Sequence, residues 1–227
     1  MKKIFFVLIA LILLTSTAFS TNVKSKPVYH CNRNNSNRIA ITFDDGPHPK
    51  HTPEILDILE ENNVKATFFL IGQNVKNYPD CAKRILRDGH EVGNHTYSHR
   101  VLKSLTREKI EKEITEMENQ LLKIANYHPK LIRPPCGMYN DALVKTADET
   151  GYKIILWSID TKDWAHSSTE SIVSNVVTNV RGGDIILFHD YISGEDGTPD
   201  ALKVIIPKLK SMGYEFVTVS ELLQSDS

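Results

Sequence analysis

The sequence predicts an α/β fold with a core of parallel strands, and two observations predict it. Short apolar runs alternate with amphipathic stretches about seven times along the chain. Runs such as Ile154-Ile155-Leu156 and Ile185-Ile186-Leu187 are continuously apolar, as strands buried on both faces of a parallel sheet must be. A barrel of such strands accounts for the pattern; an open doubly wound sheet is the alternative. Both put an active site at the carboxyl ends of the strands.

The elements follow in order. Residues 38–43 form the first strand. Thr52 is expected to cap a helix with Pro53 at its first position and Ile55, Leu56 and Leu59 on one face. Residues 66–71 are a strand, 79–88 a helix closed by Gly89, and 91–93 a short strand. Thr106 opens a long helix in which Ile110, Ile114, Met117, Leu121 and Ile124 keep the helical period. Leu131-Ile132 is a strand, 141–150 a helix ended by Gly151, and 152–157 a strand. Ser167-x-x-Glu170 reads as a capping box for a helix reaching Val180. Residues 184–188 are a strand, 199–212 a helix ended by Gly213, and 214–219 a strand, after which Ser220 caps a last helical turn.

The amino terminus predicts export. Lys2-Lys3 is followed by an apolar run over 4–14 and by Ala18-Phe19-Ser20, the pattern of a cleaved signal peptide over residues 1–20. An uncleaved anchor is the alternative, but the run falls short of the roughly 20 residues a spanning helix needs. Residues 21–37, polar and rich in Asn, are expected as a linker before a catalytic domain over 38–227. The mature protein is therefore expected outside the cytoplasm, secreted or at the cell wall.

Composition bounds the partners. The chain has 227 residues, 41% hydrophobic and 24% charged, enough for a full core without disulfide support. Its net charge is −1, and loss of Lys2 and Lys3 with the leader takes it to −3. No basic stripe or nucleic-acid motif is present, so nucleic acid is excluded as a partner. Cys31, Cys81 and Cys136 are odd in number and outside any C-x-x-C pattern, which argues against a disulfide framework or a cysteine zinc site.

Chemistry-bearing side chains collect at the predicted strand ends. Asp44-Asp45 ends the first strand, His95 and His99 follow the third, Arg133 ends the fourth, Asp160, Asp163 and Trp164 follow the fifth, and His189 ends the sixth. Two imidazoles four residues apart can share a metal ion, and Asp45 is the natural third ligand. Adjacent residues point apart, so Asp44 is free to act as a base beside that ion. Arg133 on an apolar strand end is expected to pair with a carboxylate.

The motifs Thr42-Phe43-Asp44-Asp45-Gly46-Pro47, Asn94-His95-Thr96-Tyr97-Ser98-His99, Arg133-Pro134-Pro135-Cys136-Gly137, Asp160-Thr161-Lys162-Asp163-Trp164 and Leu187-Phe188-His189 resemble, in order, those of the polysaccharide deacetylases, carbohydrate esterase family four. The resemblance spans residues 38–223. It implies a distorted (β/α)7 barrel and hydrolysis of the N-acetyl group of N-acetylglucosamine (GlcNAc) in a cell-wall or chitin-like polysaccharide. O-acetyl esterase action on xylan, or a glycan-binding domain without catalysis, are the alternatives. It implies Asp45, His95 and His99 as ligands of a divalent metal, zinc with cobalt or nickel as alternatives. It further implies Asp44 as catalytic base, Arg133 as its orienting partner, and His189 as general acid. Asp163 is the carboxylate expected behind His189, with Asp160 as the alternative. Trp164 and Leu187 are implied as walls of the acetyl pocket, and Cys136 stands in the substrate site where the family carries Tyr or Phe. An acetylated amino-sugar polymer is the expected partner, and the protein is expected to act as a monomer.

Overall fold

The computed structural model describes residues 26–31, 37–191 and 197–224. The predicted signal peptide lies outside the described residues. Among them, strand and helix alternate as β1 (Arg38–Asp44), α1 (His51–Glu61), β2 (Thr67–Leu70), α2 (Gly72–Asn77), α3 (Pro79–Arg87), β3 (Glu91–Asn94), α4 (Arg107–Ala125), β4 (Leu131–Ile132), α5 (Asp141–Thr150), β5 (Lys153–Ile154), β6 (Ile159–Asp160), α6 (Thr169–Asn179), β7 (Ile185–His189), α7 (Thr198–Ser211), β8 (Glu215–Phe216) and α8 (Val219–Gln224).

Every strand pairing is parallel. Seven strands run in the order β5-β4-β3-β2-β1-β7-β6, and β8 pairs the first residues of β1. This is the expected (β/α)7 half-barrel, and the doubly wound alternative falls. The continuous apolar runs explain why it forms: β1, β2 and β7 are buried on both faces.

Alternation along β1 divides the molecule into two compartments. Ile39, Ile41 and Phe43 face the helices, where Phe43 stacks on Phe68 with ring centroids 4.9 Å apart. Ala40 faces the barrel interior with Phe69, Leu131, Ile155 and Ile185. Thr42 and Asp44 share that inner side and both meet Arg133 there. The barrel lumen is thus apolar at one end and polar at the carboxyl ends of the strands.

Several local expectations need correction. Thr52 is not an N-cap: α1 begins at His51, and the Thr52 hydroxyl instead donates to Asp190 Oδ2 at 2.5 Å. Ser168, not Ser167, caps α6 by accepting from Ser171 N–H, while the Ser167 hydroxyl donates to the carbonyl of Lys162. The last turn is capped by Thr218, whose hydroxyl and N–H exchange hydrogen bonds with Glu221. Helix α2 was invisible in the sequence because only Val75 is apolar; at its start Gly72 packs against Tyr97 and α4, where an added Cβ would lie 2.6 Å from Tyr97 Cδ2 and 3.0 Å from Met117 Cα.

The predicted linker also behaves differently over residues 26–31. Val28 N–H donates to the carbonyl of Ile154 and the Val28 carbonyl accepts from Leu156 N–H, so the arm adds to the free edge of β5. Two residues on, His30 bridges Asp184 and Cys31 is buried inside the barrel. The arm therefore spans the open side of the sheet, from β5 to the start of β7.

Candidate active site

The side chains predicted to act together do meet, at the carboxyl ends of the strands. Asp44, Asp45, His95, His99, Cys136, Trp164, Leu187 and His189 all line one cavity of about 380 Å³. Trp157 and Asp160 complete its wall. Arg133 and Asp163 stand behind it, fully or almost fully buried.

The first pair is Asp44 and Arg133. Asp44 is the last inward residue of β1, and Arg133 follows β4 inside the lumen. Arg133 Nη1 donates to Asp44 Oδ1 at 2.7 Å and to Thr42 Oγ1 at 2.8 Å. Nη2 donates to the Leu156 carbonyl at 3.0 Å, and the guanidinium lies 4.1 Å from the centroid of the Phe69 ring. A buried cation so heavily partnered holds its carboxylate in one orientation.

The cluster comes next. At Asp45 the backbone turns to φ 77°, which takes its side chain out of the strand's alternation and away from Asp44's partner. Asp45 Oδ1 lies 3.1 Å from His99 Nε2 and 3.4 Å from His95 Nε2. His95 Nδ1 is fixed by the Arg133 carbonyl at 2.8 Å, which leaves Nε2 turned toward Asp45. Asp45, His95 and His99 offer three ligand atoms within 4.8 Å of one another. Asp45 Oδ1 is buried yet accepts no well-formed hydrogen bond. An orphaned carboxylate oxygen facing two imidazole nitrogens fits a divalent transition metal. Burial opposes the charge of Asp45, but the two histidines outweigh it and hold its carboxyl well below the usual range.

The third group is His189. Its Nδ1 meets Asp163 Oδ1 at 2.8 Å, and its backbone N–H donates to Asp163 Oδ2 at 2.7 Å. Thr198 Oγ1 and Trp164 N–H also donate to Asp163. Asp160 is not hydrogen-bonded to His189; its Oδ1 accepts from Lys162 N–H and Trp164 Nε1. Burial disfavours the imidazolium, yet Asp163, with smaller contributions from Asp44 and Asp45, carries His189 up to about 9.

Two supporting residues escaped the sequence reading. Glu113, on the buried face of α4, accepts from Tyr97 N–H, Ser98 N–H and the Ser98 hydroxyl, and so fixes the loop between His95 and His99. A lone acid on the apolar stripe of Ile110, Ile114 and Met117 was the available signal. Asp190 lies under the turn after Asp45, where a Cβ on Gly46 would sit 2.1 Å from its Oδ2; only glycine fits there. Burial and the charges of Asp45 and Asp44 push the Asp190 carboxyl up to about 7 against the Thr52 hydrogen bond.

A carboxylate and a histidine facing one cavity, with three donors that fit a metal ion on the same wall, are the parts a metal-assisted hydrolase needs. Comparison with known proteins makes the family definite. The polysaccharide deacetylase family model matches residues 32–155. A peptidoglycan-N-acetylglucosamine deacetylase of Bacillus cereus is 48% identical over 193 residues, covering 84% of this chain and 90% of that protein. A crystal structure of a peptidoglycan N-acetylglucosamine deacetylase with a bound N-hydroxybenzamide superposes with a TM-score of 0.84 at 42% identity, covering 86% of this chain and 92% of that one. A family 4 acetyl xylan esterase from Clostridium thermocellum, solved with cobalt, gives 0.78 at 37% identity and covers 83% and 91%. The chain belongs to the polysaccharide deacetylase family.

Proposed function

We propose that this protein is a metal-dependent deacetylase that removes the N-acetyl group from GlcNAc residues of a cell-wall glycan, peptidoglycan or a chitin-like oligosaccharide, and releases acetate. The observation that carries this reading is the shared cavity: Asp44 and His189 line it together with Asp45, His95 and His99. Asp45, His95 and His99 hold the metal, with zinc favoured and cobalt or nickel compatible with the same donors. When bound, such an ion supplies Lewis acidity, lowering the pKa of water toward about 7 and polarising the acetyl carbonyl.

Asp44 takes the proton of the attacking water, and Arg133 keeps its carboxylate aimed at the cavity. A backbone N–H near Cys136 stabilises the oxyanion. His189, kept protonated by Asp163, gives its proton to the departing sugar amine; an amine leaves poorly without one. Trp164 and Leu187 wall the acetyl group and Cys136 borders the sugar.

The protein acts as a monomer outside the cytoplasm, secreted or at the cell wall. The basic-apolar-small leader of the sequence supports that location. The resemblance to an acetyl xylan esterase supports O-deacetylation as the second reading. Mass spectrometry of GlcNAc oligomers and of acetylated xylan after incubation separates the two. Loss of acetyl mass from the oligomers, with a new free amine, is expected. Acetate from xylan and none from any GlcNAc polymer would favour the esterase.

A further inference from the structure

Residues 71–74, which open α2, reach both of the loops that carry the metal donors. Ile71 N–H donates to the Gly46 carbonyl at 2.9 Å, and Asn74 Nδ2 donates to the Asp45 carbonyl at 2.7 Å. Gly72 N–H donates to the Thr96 carbonyl at 3.0 Å, and Gln73 N–H to the Tyr97 carbonyl at 2.9 Å. The first N–H groups of a helix have no acceptor inside it. Here they tie the loop between His95 and His99 to the turn after β1. Gly72 permits the close approach, since a Cβ on it would stand 3.1 Å from Tyr97 Cα.

Both loops need an outside hold. Asp45 has φ 77°, Thr96 69° and His99 55°, all in the left-handed region that a residue with a Cβ disfavours. Such a conformation persists only where the surroundings fix it. Glu113 holds the histidine loop by the N–H groups of Tyr97 and Ser98, and the start of α2 holds the same loop by its carbonyls. At Asp45 the carboxylate meets the two histidines while the carbonyl of the same residue accepts from Asn74. Asn74 is half-buried and does not line the cavity, so it acts through Asp45. We propose that Asn74 is a positioning residue of the metal centre: its amide fixes the Asp45 peptide in the left-handed turn, and the start of α2 thereby sets the separation between the Asp45 carboxylate and the two histidines. The inference rests on the metal-dependent reading above and adds to it a residue that lies outside the cavity wall.

The test titrates the metal-free protein with cobalt(II), followed by its visible absorption, and then with zinc in competition. Asn74→Ala should raise the dissociation constant of each ion by about tenfold. It should also shrink the rise in melting temperature that the ion brings, while the metal-free protein melts where the parent does. Asn74→Leu keeps a branched side chain without a donor and should lose as much affinity. Asn74→Gln keeps the amide on a longer stem and should recover part of it. The cobalt absorption of Asn74→Ala at saturation should differ from the parent's, because the carboxylate meets the ion at a changed angle. Parental affinity in both Asn74→Ala and Asn74→Leu overturns the inference and leaves the metal reading standing. An equal loss of melting temperature with and without metal does the same, since it marks a role in stability alone. If Asn74→Ala does not fold, Asn74→Leu and Asn74→Gln decide between them: weak binding by the first and recovery in the second support the inference, and equal affinities refute it. A parent that binds neither cobalt nor zinc overturns the metal reading and the inference with it.

Discussion

Asp44 and Asp45 are chemically identical neighbours, and the end of β1 gives them separate partners. Asp44 stays in the strand's alternation and meets Arg133 in the lumen, whereas the turn at φ 77° sends Asp45 to the two histidines. Asp44→Asn is therefore expected to retain metal, read by elemental analysis, and to lose turnover by about 10²–10⁴-fold. Asp45→Asn should lose the metal itself; exchanged phenotypes would reverse the two roles. His189 gives a prediction in pH. Asp163 raises its pKa, to about 9, so the imidazole stays protonated at neutral pH. Asp163→Asn removes the carboxylate charge, lowers that pKa, and should move the alkaline limb of the kcat/KM profile to lower pH while the acid limb stays in place. An unmoved alkaline limb would mean that His189 is not the group lost there. At Cys136, burial and the carboxylates of Asp45 and Asp44 push the thiol up, which opposes a reactive thiolate there.

The site rests on elements that do not touch it. The loop of His95 and His99 carries positive φ at Thr96 and His99, and Glu113 of α4 holds it through two backbone N–H groups and one hydroxyl. Glu113→Ala should weaken metal binding by about 10–100-fold, measured by titration against a competing chelator; unchanged affinity would show that the loop holds its own shape. This scale also shows what the sequence could and could not disclose. The buried strands were legible because their apolar runs are continuous, and their polar ends were legible because Asp44, Arg133 and His189 interrupt those runs. Helix α2 was not, because its Gly72 and Val75 fit a neighbour that sequence periodicity cannot see. Trp157 was read as part of a strand. Only the folded chain sets it against Gly137, 5.7 Å from the Arg133 guanidinium, as a wall of the cavity. Thr52 carried a capping signature, but α1 starts one residue before it, and its hydroxyl accepts from His48 N–H while donating to the buried Asp190.

For the whole molecule, Asp45, His95 and His99 join the end of β1 to the loop after β3, so a metal ion held by them should stabilise the entire domain and not only the site. Dialysis against a chelator is expected to abolish acetate release and to lower the melting temperature, and zinc should restore both. At a thousandfold excess of ion over its dissociation constant the stabilisation would be about 4 kcal/mol. Full activity in a metal-free preparation would sink the metal assignment. The arm was the largest feature that composition concealed. Residues 26–31 have the polar look of a spacer, yet Val28 and Cys31 find apolar partners that lie far along the chain. That separation has a consequence for the order of events in folding. Val28 docks on Ile154–Leu156 and Cys31 on Gly183, so neither contact can form until β5 and the start of β7 exist. Contacts of such long range repay their loop-closure entropy late. Among the described residues, those synthesised first thus find their partners only after most of the domain exists, and the edge of β5 stays open to other strands until they do.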